Sequence, residues 1–210
     1  MIKVKICGIT HAQDALWAAN LGADFIGFNF YSQSPRKVSA KHAKDLASQI
    51  PPFVTVVGLF VDEAPTAIAK LVKSVPLKAV QLHGNESPEV AQAVKAMGVK
   101  VIKALRLEGP LDPATAAPYV PHVDYFLLDQ HSPGLFGGTG QAFDWSWAER
   151  AGELGNPFFL AGGLNATNVA KGVSAVHPFG VDVCSGVERT QTRKDYDAMK
   201  AFIQAARSAK

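Results

Sequence analysis

Cysteine is scarce. The 210 residues hold two, Cys7 and Cys184, with most of the chain between them. Neither Cys-x-x-Cys nor a His/Cys ligand spacing occurs, so a disulfide framework and a structural metal are not expected. Long apolar runs are missing too, and the longest, near Phe53 to Val61, is far too short to span a bilayer. No Lys/Arg cluster exceeds two residues and the net charge is only +3, which makes nucleic acid and membrane surfaces poor partners. The opening MIKVKICGIT lacks the apolar stretch and small-residue cleavage site of a signal peptide. Together these absences describe a soluble cytoplasmic protein with free thiols. The modest positive balance suits a small anionic ligand.

What is present is a repeated unit. Hydrophobic residues make up 48% and charged residues 19%, enough to bury one sizeable core, and no linker or composition shift divides residues 1–210 into separate domains. Short apolar runs recur at near-regular spacing: KVKIC (3–7), FIGFN (25–29), VTVVGLF (54–60), KAVQL (78–82), KVIKAL (100–105), YFLLD (125–129), FFLA (158–161) and VDVC (181–184). Between them lies helix punctuation. Thr10-His11-Ala12-Gln13 reads as a capping box, and Ser87-Pro88-Glu89 as a cap followed by a first-turn proline. Asp144 reads as the cap of WSWAERAGEL and Asn165 as the cap of ATNVAKGVSAV. In the final stretch from Arg193, Tyr196, Met199, Phe202 and Ile203 fall at helical spacing.

Eight strand–helix units imply a parallel sheet, because each helix is a crossover connection. Near-continuous Val/Ile/Leu/Phe strands fit a sheet covered on both faces. The expected fold is therefore α/β, a single-domain (β/α)8 barrel. A doubly wound open sheet is the alternative, but no G-x-G-x-x-G follows the first strand.

In such a barrel every strand's C-terminal end faces one mouth, where the chemistry is done. The residues expected there are unusual for a core: Cys7, Asn29, Gln81, His83, Asp129, the Gly162-Gly163 pair, Asp182, Cys184 and Ser185. Each has a plainer reading. The thiol can be a packing residue, Asp129 a loop cap, Gln81 and His83 structural polar groups, and the glycine pairs simple turns. Their convergence on one face favours a site. LAGGLN and VDVCSGVE, ending the seventh and eighth strands, have the glycine-rich form of the usual barrel phosphate site. Arg36 can pair with a carboxylate across the mouth, or lie solvated beside Lys37.

These residues resemble a known family, phosphoribosylanthranilate isomerase of tryptophan biosynthesis. The similarity runs through KICGIT, ADFIGFNF with SPR, VGLFVD, VQLHG, LLD followed by GGTGQAFDW, LAGGLN and GVDVCSGVE. The resemblance implies an Amadori rearrangement of an anionic phosphoribosylated substrate, with no metal or organic cofactor. It implies Asp129 as general acid on the furanose oxygen and Cys7 as general base at sugar carbon 2. Arg36 would hold the anthranilate carboxylate, and Asp182, Gln81 and His83 would lie near the sugar. Gly162, Gly163, Cys184, Ser185 and Gly186 would hold the phosphate. The acid must keep its proton at neutrality, and the base needs positive surroundings to raise its thiolate fraction. The alternatives are another phosphosugar isomerase or epimerase barrel, and a non-catalytic phosphate-binding barrel.

Two positions depart from the family. Cys184 stands where Ser is frequent, and Gln141 where Lys is common. Because the first and eighth strands of a closed barrel are neighbours, Cys7 and Cys184 are expected to end adjacent strands. The glycine-rich GLFGGTG segment after the sixth strand is the expected lid.

Overall fold

The computed structural model describes residues 1–130 and 144–209. Eight parallel strands follow one another around a closed barrel. They are β1 (Lys3–Ile6), β2 (Phe25–Asn29), β3 (Thr55–Phe60), β4 (Ala79–Leu82), β5 (Lys100–Leu107), β6 (Tyr125–Gln130), β7 (Phe158–Leu160) and β8 (Gly180–Val183). The ladder between β1 and β8, with Lys5 opposite Asp182 and Ile6 opposite Val183, closes the ring and rules out the open sheet. Continued by one residue, that register sets Cys7 beside Cys184. Both are free thiols.

Among the described residues, six α-helices pack outside: α1 (Ala12–Asn20), α2 (Ala40–Ala47), α3 (Pro65–Ser74), α4 (Pro88–Lys95), α5 (Val169–Val176) and α6 (Tyr196–Ser208). The other two crossovers contain short 3-10 turns, Pro113–Thr115 with Ala117–His122, and Trp145–Ala148 with Ala151–Glu153. Pro113, Pro118 and Pro121 remove backbone donors from the first pair, which prevents a continuous α-helix. The second pair corrects the expected helix WSWAERAGEL. Asp144 does cap, accepting from the Ser146 N–H. Gly152 then weakens the helix and Gly155, at φ +82°, ends it.

Local hydrogen bonds move three other helix starts. The Thr10 hydroxyl donates to the Thr192 carbonyl (2.8 Å) instead of capping α1, which begins after His11 with no side-chain cap. Asn165 accepts from Thr167 N in a turn, and Asn168 occupies the cap position of α5. Arg193–Lys194 is not helical: it forms β10, pairing with β9 (Glu188–Thr190) in a hairpin that the sequence reading missed. Asp195 then caps α6 through Ala198 N (2.8 Å). The α4 punctuation holds in position, with Ser87 before Pro88 and Gly98 at φ +79° after the helix, although the Ser87 side chain accepts no capping bond.

Strand alternation divides the core in two. Outward residues such as Val4, Ile26, Phe28, Val80, Leu128 and Val181 join Leu46, Ile68, Val94, Met199 and Phe202 from the helices. Inward residues Phe25, Val57, Ala79, Ile102, Leu127 and Phe159 fill the bore.

Candidate active site

The inward residues change character toward the C-terminal strand ends. There a cavity of about 290 Å³ opens, and every candidate residue named above, from Cys7 to Gly186, lines it. Tyr31, Gln33, Ser34 and Leu59 also line it, and the sequence reading had not singled them out. Of the GGTGQAFDW motif, the glycine pair Gly137-Gly138 and Gln141 lie outside the described residues, as does the expected lid.

On β1 the two-residue period places Lys5 directly below Cys7. Lys5 is fully buried, and its Nζ donates to Asp182 Oδ1 on the neighbouring strand (2.9 Å). An inward carboxylate on a Val-x-Val strand is costly unless paired, and this is its partner. Burial works against the Lys5 charge, but Asp182 and Cys7 outweigh it and raise the ammonium pKa above its ordinary value.

Cys7 is buried at the first strand's end, its sulfur against Gly27, where a methyl group would come within 2.8 Å of it. Only glycine at position 27 leaves room for the thiol. Burial pushes the Cys7 pKa up to about 11; Lys5 pulls it down, while Asp182 and Cys184 add to the rise. The expectation of a thiolate enriched by positive surroundings is corrected here. Lys5 is positioned to help, but desolvation and Asp182 prevail. Gly8, at φ +71°, turns the chain out of the strand where a side chain would strike Arg36 and Cys184.

Across the mouth Asp129 is buried at 6% exposure, with Oδ1 accepting from Gln130 N (2.8 Å). His83 Nε2 stands 3.2 Å from Asp129 Oδ2, within ion-pair reach but off the line of a hydrogen bond. Gln81 Nε2 and His83 Nδ1 are 2.7 Å apart. With the amide donating, the imidazole proton sits on Nε2, facing Asp129. Among the described residues, Gln81 Oε1 and His83 Nε2 are buried without a hydrogen-bond partner. Two such orphans in one cavity wall fit a polar ligand that would satisfy them.

Of the two readings the sequence left open for Arg36, the solvated loop arginine is excluded: the side chain is already paired with a carboxylate of the protein itself. Its Nε and Nη2 each donate at 2.7 Å to the carboxylate of Glu188. This hydrogen bonding, against the cost of burial, raises the guanidinium pKa above its usual value. Glu188 was overlooked, although it closes the quoted VDVCSGVE motif.

The two glycine loops meet beside β8. Gly162 (φ +80°) and Gly163 (φ +64°) need backbone that other residues rarely adopt. Asn168 locks that loop, donating to Gly163 O (3.0 Å) and accepting from Asn165 N (2.8 Å). A side chain on Gly186 would collide with the Leu164 carbonyl, so the loops after β7 and β8 touch there. Helix α5 starts only at Val169, so its first turn lies beyond LAGGLN rather than at it. The short 3-10 turn Ser185–Val187 opens directly on the cavity instead. The Cys184 sulfur packs over Gly8 and lies 3.7 Å from Lys194 Nζ, on the β1 side of the mouth. Among the described residues, no three His, Cys, Asp or Glu side chains form a metal-binding group, and no helix is long and apolar enough to cross a membrane.

A closed (β/α)8 barrel with buried polar groups and paired glycine loops at one mouth defines a barrel enzyme of the small-molecule, phosphate-handling type. The profile of the family described as N-(5'phosphoribosyl)anthranilate (PRA) isomerase matches residues 4–205, and the chain belongs to that family. It is 46% identical over 209 residues to the N-(5'-phosphoribosyl)anthranilate isomerase of Myxococcus xanthus, covering 99% of this chain and 97% of the relative. The crystal structure of the phosphoribosyl anthranilate isomerase from Thermotoga maritima superposes with a TM-score of 0.91 at 40% identity, covering 99% of this chain and all of that one. A second isomerase structure, in complex with reduced 1-(o-carboxyphenylamino)-1-deoxyribulose 5-phosphate, gives 0.88 at 39% identity, with coverage of 99% and 100%.

Proposed function

We propose that this chain converts N-(5'-phosphoribosyl)anthranilate to 1-(2-carboxyphenylamino)-1-deoxyribulose 5-phosphate by an Amadori rearrangement, a step of tryptophan biosynthesis. The observation that carries the reading is one cavity lined by a thiol, a buried carboxyl group, an arginine and two glycine loops. Each part answers to one feature of a substrate with two anionic ends and a sugar between them.

The phosphate lies against the backbone of Gly162, Gly163, Ser185 and Gly186, where loop N–H groups and the start of a short helical turn favour an anion. Cys184 flanks this site with its sulfur turned toward β1. At the other end Arg36 takes the anthranilate carboxylate with the donors that Glu188 leaves over. Gln81, His83 and the second oxygen of Asp182 meet the sugar hydroxyls.

Asp129 protonates the furanose ring oxygen, and the ring opens to an iminium ion. Cys7 then removes the proton from carbon 2, giving an enolamine that tautomerises to the ketone. The raised pKa of Cys7 bears directly on the second step. A thiol at about 11 is a poor source of thiolate at neutral pH, but a strong base once ionised. The iminium cation formed by the first step, beside carbon 2, favours the thiolate when it is needed. Lys5 acts from below in the same sense.

Following the disappearance of phosphoribosylanthranilate with purified wild type, Cys7→Ala and Asp129→Asn tests the assignment. Each substitution is expected to lower turnover by roughly 10²–10⁴-fold, the range for one acid or base. No turnover by the wild type, or full turnover by both variants, overturns it.

A further inference from the structure

Behind Arg36 lie Glu188 and Lys194, which form a charge cluster with it and take part in no step of the proposed chemistry. Glu188 accepts both forks of Arg36, and its Oε1 also accepts from Lys194 Nζ at 2.9 Å. Lys194 is fully buried, and its Nζ makes a further bond of 2.9 Å to the Cys184 carbonyl. Burial works against Glu188 ionising, yet its bonds to Arg36 and Lys194 prevail and hold the carboxyl below its ordinary pKa. Of the three groups, only Arg36 lines the cavity. A further carboxylate, Asp14, accepts from Lys194 N and lies 3.4 Å from Arg193 Nε, so it has a cation of its own.

The charges count unequally. An Arg–Glu fork alone is neutral, and an arriving carboxylate would have to compete with Glu188 for a guanidinium already neutralised. With Lys194 on the far side of the same carboxylate, the cluster carries a net charge of +1, and Arg36 is its only member at the cavity wall. In a buried setting that surplus is weakly screened and acts strongly on a nearby anion. The hairpin of β9 and β10 is what delivers Glu188 and Lys194 to this place.

We infer that Lys194 is a positioning and specificity residue: acting through Glu188, it leaves Arg36 with the net positive charge that selects a ligand bearing a carboxylate at this end of the cavity. The inference rests on the proposed reading of Arg36. A structural role alone would make the barrel less stable without changing which ligand it prefers.

The test compares two inhibitors, reduced 1-(2-carboxyphenylamino)-1-deoxyribulose 5-phosphate and its counterpart built on aniline, which lacks the carboxylate. Wild type should prefer the first by roughly 100-fold, the scale of a buried charge-assisted pair. Lys194→Met should cut that preference roughly tenfold, raising KM with kcat little changed, while affinity for the aniline compound stays constant. Lys194→Gln, which keeps a donor for Glu188 and the Cys184 carbonyl, carries the same expectation if the Met variant does not fold. Adding Glu188→Gln to the Lys194 variant restores the +1 count and should recover the preference, which a merely structural role would not do. Equal losses for both inhibitors, a fall in kcat at constant KM, or no recovery in the double variant would overturn the inference. Arg36→Met separates the two levels. If it leaves the preference intact, the reading of Arg36 itself fails; if it abolishes the preference while Lys194→Met does not, only the role of Lys194 fails.

Discussion

The two ends of the bore are built by the same strands and have opposite characters. At the N-terminal end Phe25, Tyr125, Phe159 and Phe179 form an aromatic plug. Phe25 and Phe159 meet edge to face at 5.2 Å, and Tyr125 stacks on Phe179 at 5.1 Å. Two to four residues further along the same faces, Ala79 gives way to Gln81, Leu127 to Asp129 and Phe25 to Gly27 and Asn29. The plug gains stability from apolar burial and asks for no partners. The mouth holds Lys5, Cys7, Gln81, His83, Asp129 and Asp182 away from water, some paired, as Lys5 is with Asp182, and some, such as Gln81 Oε1, left without a partner. A barrel can afford one such end because the other is dry and densely packed.

Substitutions can break this contrast from either side. The largest effect is expected from Asp129→Asn, with roughly 10²–10⁴-fold less turnover and a melting temperature close to wild type. Phe159→Ala is its mirror image. It should cost about 3–5 kcal/mol of unfolding free energy in denaturant titration while the folded protein keeps near-normal kcat. If either variant lost both properties together, the two ends would not be separable. Lys5→Met sits at the junction. Leaving Asp182 buried without its cation should cost about 3 kcal/mol and lower turnover as well.

The pH dependence is smaller, and its sign follows from Cys7. Its pKa rises from 9.0 to about 11 on folding, so the folded state holds the thiol proton more tightly than the unfolded chain. That contribution is fully present below pH 9 and is lost as the pH rises toward 11. It amounts to about 2–3 kcal/mol for a shift of this size. Cys7→Ser should flatten the stability curve in that window, and thiolate absorbance should show the high transition in wild type only.

The smallest effect concerns the second thiol. With mild peroxide as oxidant, Cys7 and Cys184 can lose two protons and two electrons to form a disulfide while the peroxide becomes two waters. A modest, reductant-reversible loss of activity is expected, slow because the buried thiol is protonated. Cys184→Ser should be less readily restored by reductant. Equal behaviour of the two proteins would leave Cys184 without a part in it.

Much of the mouth was legible because strand ends are local. An apolar run that ends in a polar residue or in glycines places Cys7, Asp129 and Gly162-Gly163 without reference to anything distant. Helix starts were less legible, since Thr10 and Asn165 are good caps by residue type. Their hydroxyl and amide oxygens instead found partners at Thr192 and Thr167. The hairpin of β9 and β10 was hidden because Arg193 and Lys194 read equally well as the first turn of an amphipathic helix.

The sequence by itself determined the eight-unit barrel, the residues gathered at its mouth and the two glycine loops, because these follow from periods of two and 3.6 and from residue types at element ends. Only the tertiary structure decided what those residues are. It pairs Arg36 with Glu188 across 152 positions and Lys5 with Asp182 across 177. It also decides that the Cys7 thiol is held protonated. Charge state and pairing depend on burial and on neighbours brought in from elsewhere in the chain, and only closure of the barrel supplies both.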